Sequence, residues 1–210
     1  MAAPVEREVK FAVRHLARVA ERLRQLGARL VQPRVHEYNV RWDTPDGHLR
    51  ATDQVLRLRR DRRLTMTYKS RPATADPRIA ERVEVNVPLQ GDAWDAAWAF
   101  LQHLGYEPVL IYEKYRTVYH WGPVEVMLDA TPLGGFVEIE GPNTDALREA
   151  TRALGLRWER RITHSYAHLF RLAQQALAPP PEHLTFAAFA AHIPLAEDWL
   201  PQPPADEPEG

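Results

Sequence analysis

The chain contains no cysteine. Disulfides and thiolate metal sites are therefore excluded, and the composition fits a reducing compartment. No apolar run approaches the roughly 20 residues that a membrane-spanning helix needs. The opening Met1-Ala2-Ala3-Pro4-Val5-Glu6 lacks the basic-then-apolar order of a secretory signal. A cytoplasmic protein with no membrane association is the expectation. Neither a GxxxxGK[ST] loop nor an HExxH helix occurs, so a P-loop enzyme and a zincin are not expected. Lysine is scarce: of 27 basic residues only Lys10, Lys69 and Lys114 are lysine, against 24 arginines. Positions that keep lysine on such a background suit a compact point charge. Lysine and arginine are missing altogether after Arg171, while the stretch from Ala178 onward carries Glu182, Glu197, Asp198, Asp206, Glu207 and Glu209. The rest of the chain then holds 27 basic against 22 acidic residues. A mildly basic body suits an anionic ligand, although most such asymmetries serve only solvation.

What is present fits one ordinary domain. The chain has 210 residues, 45% hydrophobic and 26% charged, enough for a soluble core. Period-two alternation predicts eight strands: Val5–Val13, Tyr38–Trp42, Val55–Arg60, Leu64–Ser70, Arg82–Pro88, Tyr112–Trp121, Val124–Asp129 and Phe136–Glu140. Turn residues separate several of them, as in Thr44-Pro45-Asp46-Gly47, Trp121-Gly122-Pro123 and Leu133-Gly134-Gly135. Helical spacing predicts four helices, His15–Leu26, Asp92–Leu104, Thr144–Leu154 and His164–Leu177. The first three stop at Gly27, Gly105 and Gly155. Strands mostly follow strands, which favours α+β over a doubly wound sheet. Residues 1–177 form the predicted domain. Residues 178–210 form a proline-rich acidic tail that holds eight of the 18 prolines. Phe186, Phe189, Ile193, Leu195, Trp199 and Leu200 make that tail too apolar for a plain linker. It is expected either to fold back over a binding site or, by preference, to pack on an outer helix or another subunit.

Residues two apart on a strand share a face. One face collects Glu6, Glu8 and Lys10; Arg57 and Arg59; Thr65, Thr67 and Lys69; Arg82, Glu84 and Asn86; Lys114 and Arg116; Glu125 and Asp129; Glu138 and Glu140. The other faces are apolar. For any single strand this describes a sheet with one wet face. Repeated over seven strands, with amphipathic helices available for the apolar side, it describes a closed sheet with charge inside and helices outside. Crowded lumenal charge is costly unless a ligand and metal neutralise it. Glu6, Glu8, Glu138 and Glu140 suit Mg²⁺ or Mn²⁺. Arg57, Arg59, Lys69, Lys114 and Arg116 suit a polyphosphate. Together they suit phosphoryl transfer, which depends on positioning and charge stabilisation. Other candidates are weaker. His164 and His168 are read as exposed helix residues, and Arg14, Arg18 and Arg22 as a solvated stripe. Ser165 has no evident base, and no nucleic-acid partner is expected.

The ordered motifs resemble a known family. Glu6-Arg7-Glu8-Val9-Lys10 resembles the ExExK signature of CYTH domains, the triphosphate tunnel metalloenzymes. Trp42-Asp43-Thr44-Pro45 is similar to the family's "YFDTP" turn, and Thr52-Asp53-Gln54-Val55-Leu56-Arg57-Leu58-Arg59 to its "LRLR" strand. Lys69 falls at "TxK" and Lys114-Tyr115-Arg116 at "KxR". Leu128-Asp129, Leu133-Gly134 and Phe136-Val137-Glu138-Ile139-Glu140 fall at "LD…LG.FvEiE", and Ser165-Tyr166-Ala167-His168-Leu169 at "SYxxL". All three lysines land on family lysine positions. Two positions depart: Arg82 stands where an acid is frequent, and His164 where a base usually precedes "SY".

The resemblance implies an eight-stranded antiparallel tunnel, a triphosphate-containing small molecule as substrate, and Mg²⁺ or Mn²⁺ as cofactor. It implies metal ligands among Glu6, Glu8, Glu84, Asp129, Glu138 and Glu140. Lys10, Arg57, Arg59, Lys69, Arg82, Lys114 and Arg116 would bind substrate, with Lys10, Lys69 and Arg116 catalytic. A monomer or homodimer is expected. Hydrolysis of the triphosphate needs only an aligned water and is the expected activity. Class IV adenylyl cyclase is the alternative, since Thr52-Asp53 resembles cyclase-like members. A non-catalytic polyphosphate-binding module is the third reading, and the retained carboxylates argue against it.

Overall fold

Strict alternation turns Val5–Val13 into strand β1. Val9 and Phe11 are fully buried on one face, with Glu6, Glu8 and Lys10 on the other. The computed structural model describes residues 5–72, 78–190 and 199–207. Ile193, Leu195, Glu197, Asp198 and Glu209 lie outside them.

The remaining strands are β2 (Arg29–Asp43), β3 (Val55–Arg60), β4 (Leu64–Ser70), β5 (Ala80–Leu89), β6 (Glu107–Trp121), β7 (Val124–Thr131) and β8 (Gly134–Glu140). Every pairing is antiparallel, and the order β1-β5-β4-β3-β2-β6-β7-β8 closes into a ring through β8 and β1. Closure removes sheet edges and leaves a charged interior. Outside, α1 (Leu16–Gln25) and α4 (Thr144–Ala153) cover β1, β7 and β8, so that Val19, Leu23, Leu147 and Ala150 join Val9, Phe11, Val126 and Ile139 in one core. Helix α3 (Trp94–His103) covers β2 to β4 through Leu101 and Trp98, whose ring meets Trp42 edge-on at 4.7 Å. Coverage stops short of β5, where the outward Val85 and Val87 remain 44% and 42% exposed. The expected helical cover is thus incomplete on that strand.

Several boundaries differ from the sequence expectation. Strand β2 begins at Arg29, well before Tyr38. Pro33 lacks a ladder donor, and the pairing with β6 shifts register between Leu30 and Gln32 and again between Gln32 and Val35. That irregularity hides the period of two. Strands β5 and β6 also start earlier than expected, at Ala80 and Glu107. Two short helices, α2 (His48–Ala51) and α6 (Phe186–Phe189), and a 3₁₀ turn at Trp158–Arg160 add to the four expected. Helix α5 (Tyr166–Gln175) begins two residues after His164, because the Ser165 side chain caps it by accepting from the His168 amide. No helix among the described residues is long and apolar enough to cross a membrane.

Helix α5 lies across one end of the ring. Its Tyr166, Leu169 and Phe170 pack with Ala12 and Phe136, the inward positions at the ends of β1 and β8. The described tail docks on the same end. The Leu184 amide donates to Ile111 O and the Glu113 amide donates to Leu184 O, both at 2.9 Å, beside β6. Phe189 and Trp199 join the α5 core. Asp206 accepts from the Arg14 and His15 amides, both at 3.0 Å, at the start of α1. The tail therefore ties β6 to the β1–α1 corner. Burying Leu184 alone is worth about 2–5 kcal/mol by the usual cost of leucine truncation. Deleting residues 179–210 is accordingly expected to lower the melting temperature by about 10 °C or more. An unchanged melting curve would show the arm to be dispensable.

Candidate functional site

The ring encloses a cavity of about 690 Å³, within the size range of small-molecule sites. Its walls differ in charge. On β1, β8 and β5, register brings carboxylates together: Glu8 lies opposite Glu140, which in turn lies opposite Glu125 on β7. Lys69 on β4 pairs with Glu6 at 2.5 Å and with Glu84 at 2.7 Å. Burial, a hydrogen bond shared with Glu84 and the charges of Glu8 and Glu84 push Glu6 up to about 8, against the pull of Lys69. Burial likewise opposes ionisation of Glu84, but its bonds with Glu6, Lys69 and Asn86 outweigh this and hold it at about 2. Glu84 thus opposes the ionisation of Glu6. Burial and the charges of Glu8, Glu125 and Glu84 raise Glu140 to about 7.

Deeper in, acids and bases neutralise one another. Asp129 is fully buried and accepts from Lys114 at 2.9 Å, from Arg116 Nε at 2.7 Å, from a second Arg116 nitrogen at 2.6 Å and from the Tyr166 hydroxyl at 2.7 Å. Its oxygens are committed to holding those groups. Glu138 pairs tightly with Lys10 and Arg116. Burial works against its ionised form, yet Lys10, Arg116 and Lys114 keep it well below the usual carboxylate range. Lys10 also lies 3.8 Å from Glu8 and 4.5 Å from the Tyr166 ring centre.

The third wall belongs to β2 and β3. Register sets Arg41 opposite Arg57 and Asn39 opposite Arg59. Arg57 donates to the Tyr112 hydroxyl at 3.3 Å and to Thr67 at 3.2 Å, while Arg59 pairs with Asp61 at 3.2 Å and reaches Glu37 at 3.9 Å. Glu37 is 1% exposed. Its burial is outweighed by Lys114, Arg116, Arg59 and Arg57, which hold it at about 2. Asn39 is buried with neither side-chain atom hydrogen-bonded, and Arg57 Nε is likewise without a partner. Arg82 lies opposite Glu6 and 3.4 Å from Asp53.

The cavity lining and its pairings therefore bring together Glu6, Glu8, Lys10, Arg57, Arg59, Lys69, Arg82, Glu84, Lys114, Arg116, Asp129, Glu138 and Glu140. His164 and His168 instead stack on each other at 4.1 Å, away from the lining. Sequence reading missed Glu37, Asn39 and Arg41, which alternate with Tyr38, Val40 and Trp42 and were findable by that period. It also missed the two tyrosines, Tyr112 and Tyr166, whose hydroxyls orient Arg57 and Asp129.

Among the described residues no three Asp, Glu or His side chains already form a metal cage. The donor chemistry nevertheless fits a hard divalent cation. Glu6, Glu8, Glu84 and Glu140 offer only oxygen, and Glu6 and Glu140 are raised far above the usual carboxylate range by burial and, after it, by neighbouring like charges. Crowding of that kind is relieved by added positive charge. Glu138 and Asp129 are already saturated by bases.

The geometry agrees with comparisons to known proteins. The family model of the CYTH domain matches residues 5–166. A curated protein of Methanocaldococcus jannaschii named "Putative adenylate cyclase" is 25% identical over 176 residues, covering 79% of this chain and 98% of that protein. The PH1819 protein of Pyrococcus horikoshii OT3 has a TM-score of 0.66 at 26% identity, over 79% of this chain and 98% of its own. A Vibrio parahaemolyticus structure, described as that of a "putative adenylate cyclase", has a TM-score of 0.68 at 18% identity, over 79% of this chain and 97% of its own. The residues matched by the family model are those whose register turns the ExExK, LRLR and EiE motifs into the lumen, and the chain belongs to the CYTH domain family.

Proposed function

We propose that this protein hydrolyses a triphosphate inside the tunnel with the help of Mg²⁺ or Mn²⁺. The observation that carries the reading is the division of the lumen. Glutamates crowd one wall, arginines crowd the facing wall, and paired bases lie between them. A triphosphate satisfies both walls at once when a cation accompanies it. In this reading Glu6, Glu8, Glu84 and Glu140 hold the cation. When bound, it neutralises phosphate oxygens and supports an attacking water. Lys69 and Lys10 present point charges to the phosphates, and Arg57, Arg59, Arg82 and Lys114 orient them. Arg116 is held rigid by Asp129 and Glu138, so it is prepaid in entropy for stabilising charge on the transferring group.

The name of the Methanocaldococcus jannaschii relative favours a second reading, cyclisation of ATP to cyclic AMP. One assay panel separates the two. Tripolyphosphate, ATP and thiamine triphosphate are incubated with Mg²⁺ or Mn²⁺ and scored for phosphate, pyrophosphate and cyclic AMP. Phosphate release with no cyclic AMP is the expected result, and it should fall steeply in Glu8→Gln. Pyrophosphate with cyclic AMP would move the assignment to cyclase. Binding without turnover of any of the three would leave a polyphosphate-binding module.

A further inference from the structure

Two arginines of the lumen, Arg41 and Arg171, have no role in triphosphate binding as described. Arg41 and Arg57 are register partners on β2 and β3. Both line the same cavity as Arg171, which α5 contributes beyond the end of the family match at residue 166. Elsewhere in the tunnel the bases have acids: Lys10 has Glu138, Lys69 has Glu6 and Glu84, and Arg116 has Asp129. Among the described residues, none of Arg41, Arg57 and Arg171 has a carboxylate within 4.0 Å. The hydrogen bonds of Arg57 go to neutral hydroxyls, and that of Arg171 goes to a His168 ring nitrogen at 3.4 Å. Nearby Asp43 is already occupied, since it accepts from the Thr44, Leu49 and Arg50 amides. Glu182 lines the same cavity but pairs with none of the three guanidiniums.

Glu37 and Glu84 support the charge of Arg57 from a distance, but no carboxylate closes on any of the three guanidiniums, and an anion seated among them would relieve their mutual repulsion. Burial and the charges of Arg171 and Arg57 disfavour the charged form of Arg41 and outweigh the support it draws from Tyr112 and Asp43. A neutral base would stack on guanidinium but leave the repulsion in place. The cluster carries no oxygen donors for a metal, so it binds anions without one. We infer that Arg41, Arg57 and Arg171 form an additional phosphate subsite at the α5 end of the tunnel, and that the protein takes linear polyphosphates of four phosphates in preference to three. Arg57 is the junction between this subsite and the main one. The inference rests on the triphosphate reading and extends it to chain length.

The test is calorimetric titration in EDTA, with linear tripolyphosphate and linear tetrapolyphosphate as probes. It uses the native protein, Arg171→Gln and Arg41→Gln. One further charge-assisted contact corresponds to tetraphosphate binding about tenfold tighter than triphosphate in the native protein. In both variants the ratio should fall to within about twofold of unity, on the same thermodynamic scale. Arg171 is exposed, so its variant keeps the test decisive should Arg41→Gln fail to fold. Equal native affinity for the two chains overturns the inference, as does a preference that survives Arg171→Gln. A native preference for ATP over tripolyphosphate that disappears in either variant also overturns it, because the arginines would then hold a nucleoside. Mg²⁺-dependent turnover of tripolyphosphate, measured alongside, separates the two levels. Turnover without chain-length preference sinks this inference alone, and absence of both turnover and binding sinks the tunnel reading with it.

Discussion

Replacing Arg116 with alanine should slow triphosphate turnover by about 10²–10³, the usual cost of one charge-stabilising donor, and should destabilise the fold as well. The second effect follows from the company Arg116 keeps. It donates twice to Asp129, at 2.7 and 2.6 Å, and also pairs with Glu138. Both acids are buried. Taking away one member of a buried ion pair leaves the other charge in a poor solvent, at a cost of about 3–5 kcal/mol. Lys114 and Tyr166 still reach Asp129, which places the loss toward the lower end. Catalytic and structural contributions separate in the double variant Arg116→Ala/Asp129→Asn. Removing the stranded charge should recover much of the melting temperature while turnover stays low. Native turnover in Arg116→Ala, measured well below its melting point, would take the tunnel network out of the mechanism.

Metal-free protein should be most stable near pH 4–5, where the unfolded glutamates ionise, and lose several kcal/mol by pH 8. Glu6 and Glu140 are raised in the folded state to about 8 and about 7. Between the ordinary glutamate range and those values the folded chain binds more protons than the unfolded one, so stability falls as pH rises. Each pKa unit is worth about 1.4 kcal/mol per group. The opposite sign applies to Glu84 and Glu37, both held at about 2. Their contribution is complete once the unfolded glutamates ionise, and it is lost only as pH drops toward 2. The two sets together place the maximum between them. Added Mg²⁺ should flatten the alkaline decline, since a cation that binds only the folded carboxylates stabilises by mass action. Thermal melts at pH 5.5 and 8, in EDTA and in Mg²⁺, read all four values. A melting temperature in EDTA that holds or rises toward pH 8 would contradict the crowded-glutamate picture.

How much of this was legible depends on which physical rule each residue obeys. Glu6, Glu8 and Lys10 could be read because β1 alternates without interruption, and a period of two fixes which side chains share a face. The same rule gave the inward faces of β3, β6 and β8. Asn39 and Arg41 lie inside the expected Tyr38–Trp42 and obey the same rule, but Glu37 falls in the polar, proline-containing segment before Tyr38, which does not advertise a strand that is held mainly by its long pairing with β6. The exposed Val85 and Val87 could not be foreseen either. An apolar outer face states that cover is favourable, but where the helices run out depends on their number and placement. Least legible was which acid serves which base. Asp129 and Glu140 both read as candidate metal ligands, yet one is saturated by four donors and the other is crowded by glutamates. That distinction arises only when the ring closes and brings distant strands into register.

The scarcity of lysine has a practical corollary in chemical labelling. The protein's three lysine amines all lie at the tunnel, with side chains exposed by 2% for Lys10, 19% for Lys69 and 5% for Lys114. Apart from the α-amine of the chain, an acylating reagent such as an N-hydroxysuccinimide ester finds no amine on the outer surface. Modification should begin at Lys69 and slow sharply when a polyphosphate fills the lumen. Mass spectrometry of that one residue would then report occupancy of the tunnel directly, with no engineered probe and no dependence on turnover. By the same logic, random immobilisation through lysine would tether the protein by the very groups that face its ligand.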